Sequence, residues 1–351
     1  MEANEISIEN NVNSTNNNTV NIPKTKWNNI SLIRFISFLN IFVFHVLYFW
    51  TDFAENYFPF WFAVQVFLFI SGFLYSKKEI KDTKKFYLKN GLKIIIPVVV
   101  LLLLFYAAYL IAYLCGYNVY VREVNPNGCL VSALGHLWFI YAICGCYFIT
   151  PFLNKMVNAY KQKDKNKFQN LLILILIFVM IDFISAQFGN QLSLTSFILG
   201  YLFRYFYDGK FFQKNKKIIA SISFVLFIGL SISYYFMMNR GGVNFYNTDL
   251  FKELFLMIFA IVFVVFMLVF FEFLNYKNYK FNKFLSITDK YSFYIYLAHH
   301  VFLCGCFSIM NFVENIYLAT FIAFLCTILL SIMIEYVSKK LIKCCSKLFK
   351  V

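Results

Sequence analysis

An arginine and a histidine set eleven residues apart give the first apolar stretch of this chain two groups that could do chemistry. The stretch, Ser31 to Trp50, reads SLIRFISFLNIFVFHVLYFW and is long enough to cross hydrocarbon as a helix. Eleven helical steps of about 100° return to nearly the same face, roughly 16 Å further along the axis. Arg34, Phe38, Ile41 and His45 therefore form one line, with the guanidinium at one membrane surface and the imidazole near mid-depth. A guanidinium can hold an anion, and an imidazole can take or give a proton near neutrality. Each also has a plainer reading. The arginine can be a surface anchor, and the histidine can make a structural hydrogen bond. A second polar set lies near the other end of the chain. Ser292, Tyr296 and His299 are spaced i, i+4 and i+7 and share a helical face. Such a face in lipid turns into a bundle, either to complete a site with His45 or to join helices by hydrogen bonds. His300 is rotated off that face and is left out of the site.

The elements that must position these groups are membrane helices. The chain has 351 residues, of which 61% are hydrophobic, 22% aromatic and 14% charged; soluble domains carry about 25% charged residues. Strand-period alternation is absent, which argues against a barrel. The expected fold is all-α, a polytopic transmembrane bundle of about ten spans. Their limits are Ser31–Trp50, Pro59–Ser76, Leu92–Cys115, Leu134–Leu153, Gln169–Gln187, Leu192–Phe206, Ile218–Met238, Leu250–Phe271, Tyr291–Phe312 and Ile316–Val337. The sixth is short, and its Ser193, Thr195, Ser196 and Gly200 suit the interior of the bundle.

The net charge of +15 belongs to the connections and does not point to nucleic acid. Lysine-rich segments (Lys77–Lys93, Lys161–Lys167, Lys210–Lys217, Lys277–Lys290 and the tail from Lys339) alternate with connections poor in lysine. That alternation predicts both termini in the cytoplasm. Residues 1–29 form an asparagine-rich tail with no core-forming pattern, expected to be disordered; residues 339–351 form a basic cytoplasmic tail around the 30–338 membrane domain. The nine cysteines lack metal-ligand spacing. Cys144/Cys146 and Cys304/Cys306 suit helix packing, and a Cys115–Cys129 disulfide in an outer loop is conceivable. No metal motif, phosphate-binding glycine loop or dinucleotide fingerprint is present, so no metal is expected.

Motifs further along the chain fall in a recognisable order. After R-x10-H comes Val66-Phe67-Leu68-Phe69-Ile70-Ser71-Gly72-Phe73, then a basic loop ending Lys93-Ile94-Ile95-Ile96-Pro97. His136-Leu137-Trp138-Phe139 follows, with Tyr147 and Pro151, and last comes Tyr291-Ser292-Phe293-Tyr294-Ile295-Tyr296-Leu297-Ala298-His299. From about Trp27 to Val337 this resembles the acyltransferase 3 family of integral-membrane acyltransferases. The resemblance implies an acyl-CoA donor, typically acetyl-CoA, used from the cytoplasmic side of a multi-pass cell-membrane protein. It also implies an acceptor hydroxyl on a cell-surface or lipid-linked carbohydrate, and essential roles for the arginine and histidine matched by Arg34 and His45. Two departures stand out. Lys89 and Lys93 occupy positions where family members often carry arginine, and Gln65 stands where many carry an acid, which removes a carboxylate from that place.

Acyl transfer from a thioester to a hydroxyl needs a base and stabilisation of an oxyanion. His45 is the candidate base, with Arg34 for the donor's phosphate or acyl oxygen and His299 to orient the base or place the acceptor. Lys93 is a candidate for the donor's phosphates. His136 and Trp138 are candidates for acceptor contact, although Trp138 could simply line the interior. Ser71 lacks the strand–turn–helix setting of a nucleophile elbow, so Ser71-Gly72 suits helix packing or an indirect part in the site. Asp182 is a carboxylate within span five with no motif around it. The competing functional class is a transporter or flippase for a lipid-linked sugar or polysaccharide, since central polar residues serve that task too.

Overall fold

A computed structural model describes residues 25–51, 62–116, 133–186, 193–207, 209–239, 249–273 and 279–349. The amino-terminal tail to residue 24, Asp52 to Trp61, the loop holding Arg122, Glu123 and Cys129, and Arg240 lie outside them. The regular elements of the described residues are helices, with no strand among them. In chain order these are α1 (Thr25–Trp50), α2 (Phe62–Tyr75), α3 (Thr83–Leu114), α4 (Trp138–Lys161), α5 (Lys165–Ala186), α6 (Ser193–Phe206), the short α7 (Gly209–Lys214), α8 (Lys216–Asn239), α9 (Asp249–Phe273), α10 (Tyr279–Leu303) and α11 (Ile316–Leu348). A 3-10 turn, Gly135–Leu137, leads into α4.

Among the described residues, seven helices are long and apolar enough to cross a membrane: α1, α3, α4 with its leading turn, α5, α8, α9 and α11. The other expected spans fall on α2, α6 and α10. The first two have 14 residues each, a rise of about 21 Å against a hydrocarbon thickness of about 30 Å. Both belong to the interior. They run in the same direction, as the pairings Gln65–Ser196, Phe69–Phe203 and Phe73–Tyr207 show. Two glycines let their backbones touch. A Cβ on Gly200 would lie 1.9 Å from the Phe69 carbonyl oxygen, and one on Gly72 would lie 2.0 Å from that of Phe197.

Several helices overrun the apolar windows. The Asp82 side chain caps α3 by accepting from the Lys85 amide at 3.0 Å, so the helix starts within the lysine-rich segment. The expected basic tail from residue 339 is the continuation of α11 to Leu348. Hydropathy ends a span where charge begins, whereas backbone hydrogen bonding does not.

Asp182 has a structural task. From α5 its buried Oδ2 accepts the Thr195 amide at 2.8 Å, capping the first turn of α6 in the interior. An uncapped amide there has no water to turn to. Asp182→Ala should lower stability by about 1–3 kcal/mol, read as an earlier thermal unfolding transition, with activity per folded molecule retained. Gln65 also differs from expectation. Its amide Nε2 donates to Glu253 Oε2 of α9 at 3.4 Å, and its Oε1 accepts from Ser196. A carboxylate absent from the α2 position itself is thus delivered beside it by another helix.

Candidate active site

α1 and α10 run side by side in the same direction and are fastened near both ends. At one end Arg34 Nη1 donates to Asp289 Oδ1 at 2.7 Å; at the other, Trp50 Nε1 donates to the Leu303 carbonyl at 2.7 Å. This clamp fixes the line Arg34–Ile41–His45 against Ser292, Tyr296 and His299.

Around the Arg34 end is a cavity of about 630 Å³, within the range of small-molecule sites. Arg34, Lys93, Ser71 and Ser292 line it, with Tyr147, Asp289, Lys290, Lys339 and Lys343. Its cations outnumber its carboxylates. Glu335 takes up part of the excess, at 3.2 Å from Lys290 Nζ and 2.7 Å from Lys339 Nζ. The remaining field reaches Lys78 in the turn after α2. Burial, then the charges of Lys93, Lys89 and Arg34, pulls the Lys78 ammonium below the usual lysine range. Such a surface favours a polyanion. Ser71 and Ser292 each donate their hydroxyl within their own helix, to the Phe67 carbonyl at 2.8 Å and the Asp289 carbonyl at 2.9 Å.

Further along α1 lies a second cavity, of about 280 Å³, lined by His45, His136, Trp138, Tyr296 and His300 among others. All four histidines of the chain converge here. The His45 ring centroid is 5.3 Å from that of His299 and 4.6 Å from that of His300, and His136 is 5.2 and 4.6 Å from the same two. Hydrogen bonds define two tautomers. A carbonyl only accepts, so His299 Nδ1 donates to the Tyr296 carbonyl and His136 Nε2 donates to that of Leu297 at 3.1 Å. This leaves His299 Nε2 and His136 Nδ1 as lone-pair nitrogens, buried and without a hydrogen-bond partner among the described residues. His300 Nδ1 lies 3.0 Å from Cys304 Sγ.

The sequence-selected residues therefore separate into two rooms. Arg34, Lys93, Ser71 and Ser292 belong to the larger; His45, His136 and Trp138 to the smaller; Tyr296 lines both. His299, fully buried, lines neither and packs beside His45. The two cavities adjoin along Ile41, Val64 and Tyr296, the residues lining both. His300, set aside because it leaves the Ser292 face, lines the smaller cavity, since this part of α10 is buried on more than one side. Asp289, Lys290, Lys339 and Lys343 were also missed, because charges at helix ends register in the sequence as topology signals. Among the described residues no group of three or more His, Cys, Asp or Glu side chains is arranged to hold a metal ion.

Comparison with known proteins gives the family. Residues 27–336 match the acyltransferase domain of the acyltransferase 3 family, nearly the whole chain, and the protein belongs to that family of membrane acyltransferases. No curated protein and no solved structure gives a significant match.

Proposed function

We propose that this protein transfers an acyl group, acetyl before others, from acyl-CoA to a hydroxyl of a cell-surface or lipid-linked carbohydrate. The observation that carries the reading is the adjoining of a cation-lined cavity and a histidine-lined cavity on one helix line. The donor's phosphates lie against Arg34, Lys93 and Lys343, and its thioester reaches toward Ile41. The acceptor lies against His136, Trp138 and His300. His45 takes the hydroxyl proton as the oxygen attacks the acyl carbon, the C–S bond breaks as the C–O bond forms, and the proton passes to the departing thiolate. His299, packed beside the His45 ring, holds that ring in place.

In this reading the chain spans the cell membrane ten times with both termini in the cytoplasm, and the larger cavity opens to the cytoplasm. The alternating lysine-rich connections support it. So do the shared directions of α1 with α10 and of α2 with α6, which an up-down order of ten spans requires. No feature of the two cavities favours the transporter reading, which calls for a path from face to face.

Two measurements test the donor and acceptor assignments. Lys93→Ala and Lys343→Ala should each raise the KM for acetyl-CoA about 3- to 10-fold, more at low salt, with kcat little changed. Surface carbohydrate from cells with and without the protein should differ in base-labile acetate. Equal acetate in both would overturn the carbohydrate acceptor.

A further inference from the structure

We propose that Ile41, Val64 and Tyr296 form a filter that sets which acyl chain this protein transfers; the proposal rests on the acyl-transfer reading above. These three residues, from α1, α2 and α10, line both cavities and are buried, each less than a tenth exposed. They are the wall that the cationic cavity and the histidine-lined cavity have in common.

Their chemistry suits a fixed, narrow opening. Ile41 and Val64 are β-branched residues in helices, where one χ1 rotamer dominates, so neither swings aside readily. Tyr296 is held by its own hydroxyl, which donates to the His136 carbonyl, the backbone of the 3-10 turn that carries a histidine of the smaller cavity. Two aliphatic side chains and an aromatic ring offer nothing to a phosphate or a sugar hydroxyl. The charged body of the donor therefore stays with Arg34 and the lysines, and the acceptor stays with the histidines. Only the small uncharged acyl group enters the opening, its carbon facing the acceptor oxygen on the His45 side. The C–S bond breaks and the C–O bond forms at the opening, and the hydroxyl proton ends on the CoA thiolate. Each added methylene of the acyl chain then meets Ile41 and Val64. A hydrophobic wall of this kind discriminates by about 10- to 200-fold per methylene.

The test uses membrane vesicles from producing cells that lack their own copy and carry the full chain or a variant, so that the cell's own acceptor is present. Radiolabelled acetyl-CoA and butanoyl-CoA are supplied in parallel, and base-labile label in carbohydrate is counted. The wild type should incorporate acetyl far more than butanoyl. Val64→Ala and Ile41→Ala should each raise the butanoyl-to-acetyl ratio at least about tenfold. Ile41→Phe should cut incorporation of both while free CoA still competes for donor binding with wild-type affinity. An active wild type whose ratio is unmoved by both alanine variants overturns the filter alone. A wild type that incorporates neither label overturns the acyl-transfer reading and the filter with it.

Discussion

Replacing His45 by alanine should lower acyl transfer by about 10²- to 10⁴-fold while the protein still purifies as a folded bundle. The range is that of a lost general base and corresponds to about 3–5 kcal/mol of transition-state stabilisation. The geometry concentrates the loss at this residue. Of the histidines lining the smaller cavity, His45 is the one carried on the α1 line that bears Arg34. His136 and His299 each spend one ring nitrogen on a backbone carbonyl of α10. Alanine is the best helix former, and α1 stays fastened to α10 through Arg34–Asp289 and Trp50–Leu303. The fold therefore has independent anchors on both sides of the substitution. The measurement is kcat/KM for acetyl-CoA alongside a thermal unfolding curve. A parallel collapse of both would turn His45 into a packing residue.

The largest effect on stability is expected at Gly200. Its Cβ would fall 1.9 Å from the oxygen, 2.6 Å from the carbonyl carbon and 2.9 Å from the Cα of Phe69. All three are backbone atoms of α2, so no side chain can rotate away. Gly72 faces the reciprocal problem, with the oxygen and carbonyl carbon of Phe197 and the amide nitrogen of Tyr201 at 2.0, 2.9 and 2.9 Å. A side chain at either position forces α2 and α6 apart through the buried Gln65–Ser196 contact and the Phe69–Phe203 pair. Overpacking of a rigid core costs about 1–3 kcal/mol and more where backbone must move, so Gly200→Val should leave little folded protein in size-exclusion chromatography. Gly229→Ala is the control: nothing lies within 4 Å of the added carbon, and helix propensity favours alanine, so stability should hold or rise slightly. Equal yields of the two variants would refute the close α2–α6 contact.

What could be read from the residues, and what could not, follows from how far each signal reaches. R-x10-H could be read because helical periodicity alone puts positions eleven apart on one face. The small-residue character of Ser71-Gly72 and of α6 could be read because close packing demands it wherever it occurs; the structure puts Gly72 and Gly200 at the two contact points. His300 could not be read. A single-face argument assumes that the rest of the helix meets lipid, and α10 is enclosed at that level. Helix ends were lost where lysines begin, at α3 and α11, because hydropathy measures transfer to lipid and not hydrogen bonding. The shared wall of the two cavities belongs to three helices at once, and no local pattern in any one of them announces it. Gln65 marks the same limit, since its carboxylate partner lies 188 residues further along the chain.

The most direct test of an acyl donor and a hydroxyl acceptor served from adjoining cavities is a stoichiometry. Full-length protein in lipid nanodiscs is given acetyl-CoA and surface carbohydrate extracted from the producing cells, and free thiol and carbohydrate ester are measured together. Thiol and ester should appear one for one, only when the carbohydrate is present, and both should fall together in the His45→Ala protein. Thiol release without ester, or undiminished ester formation by His45→Ala, would contradict the account.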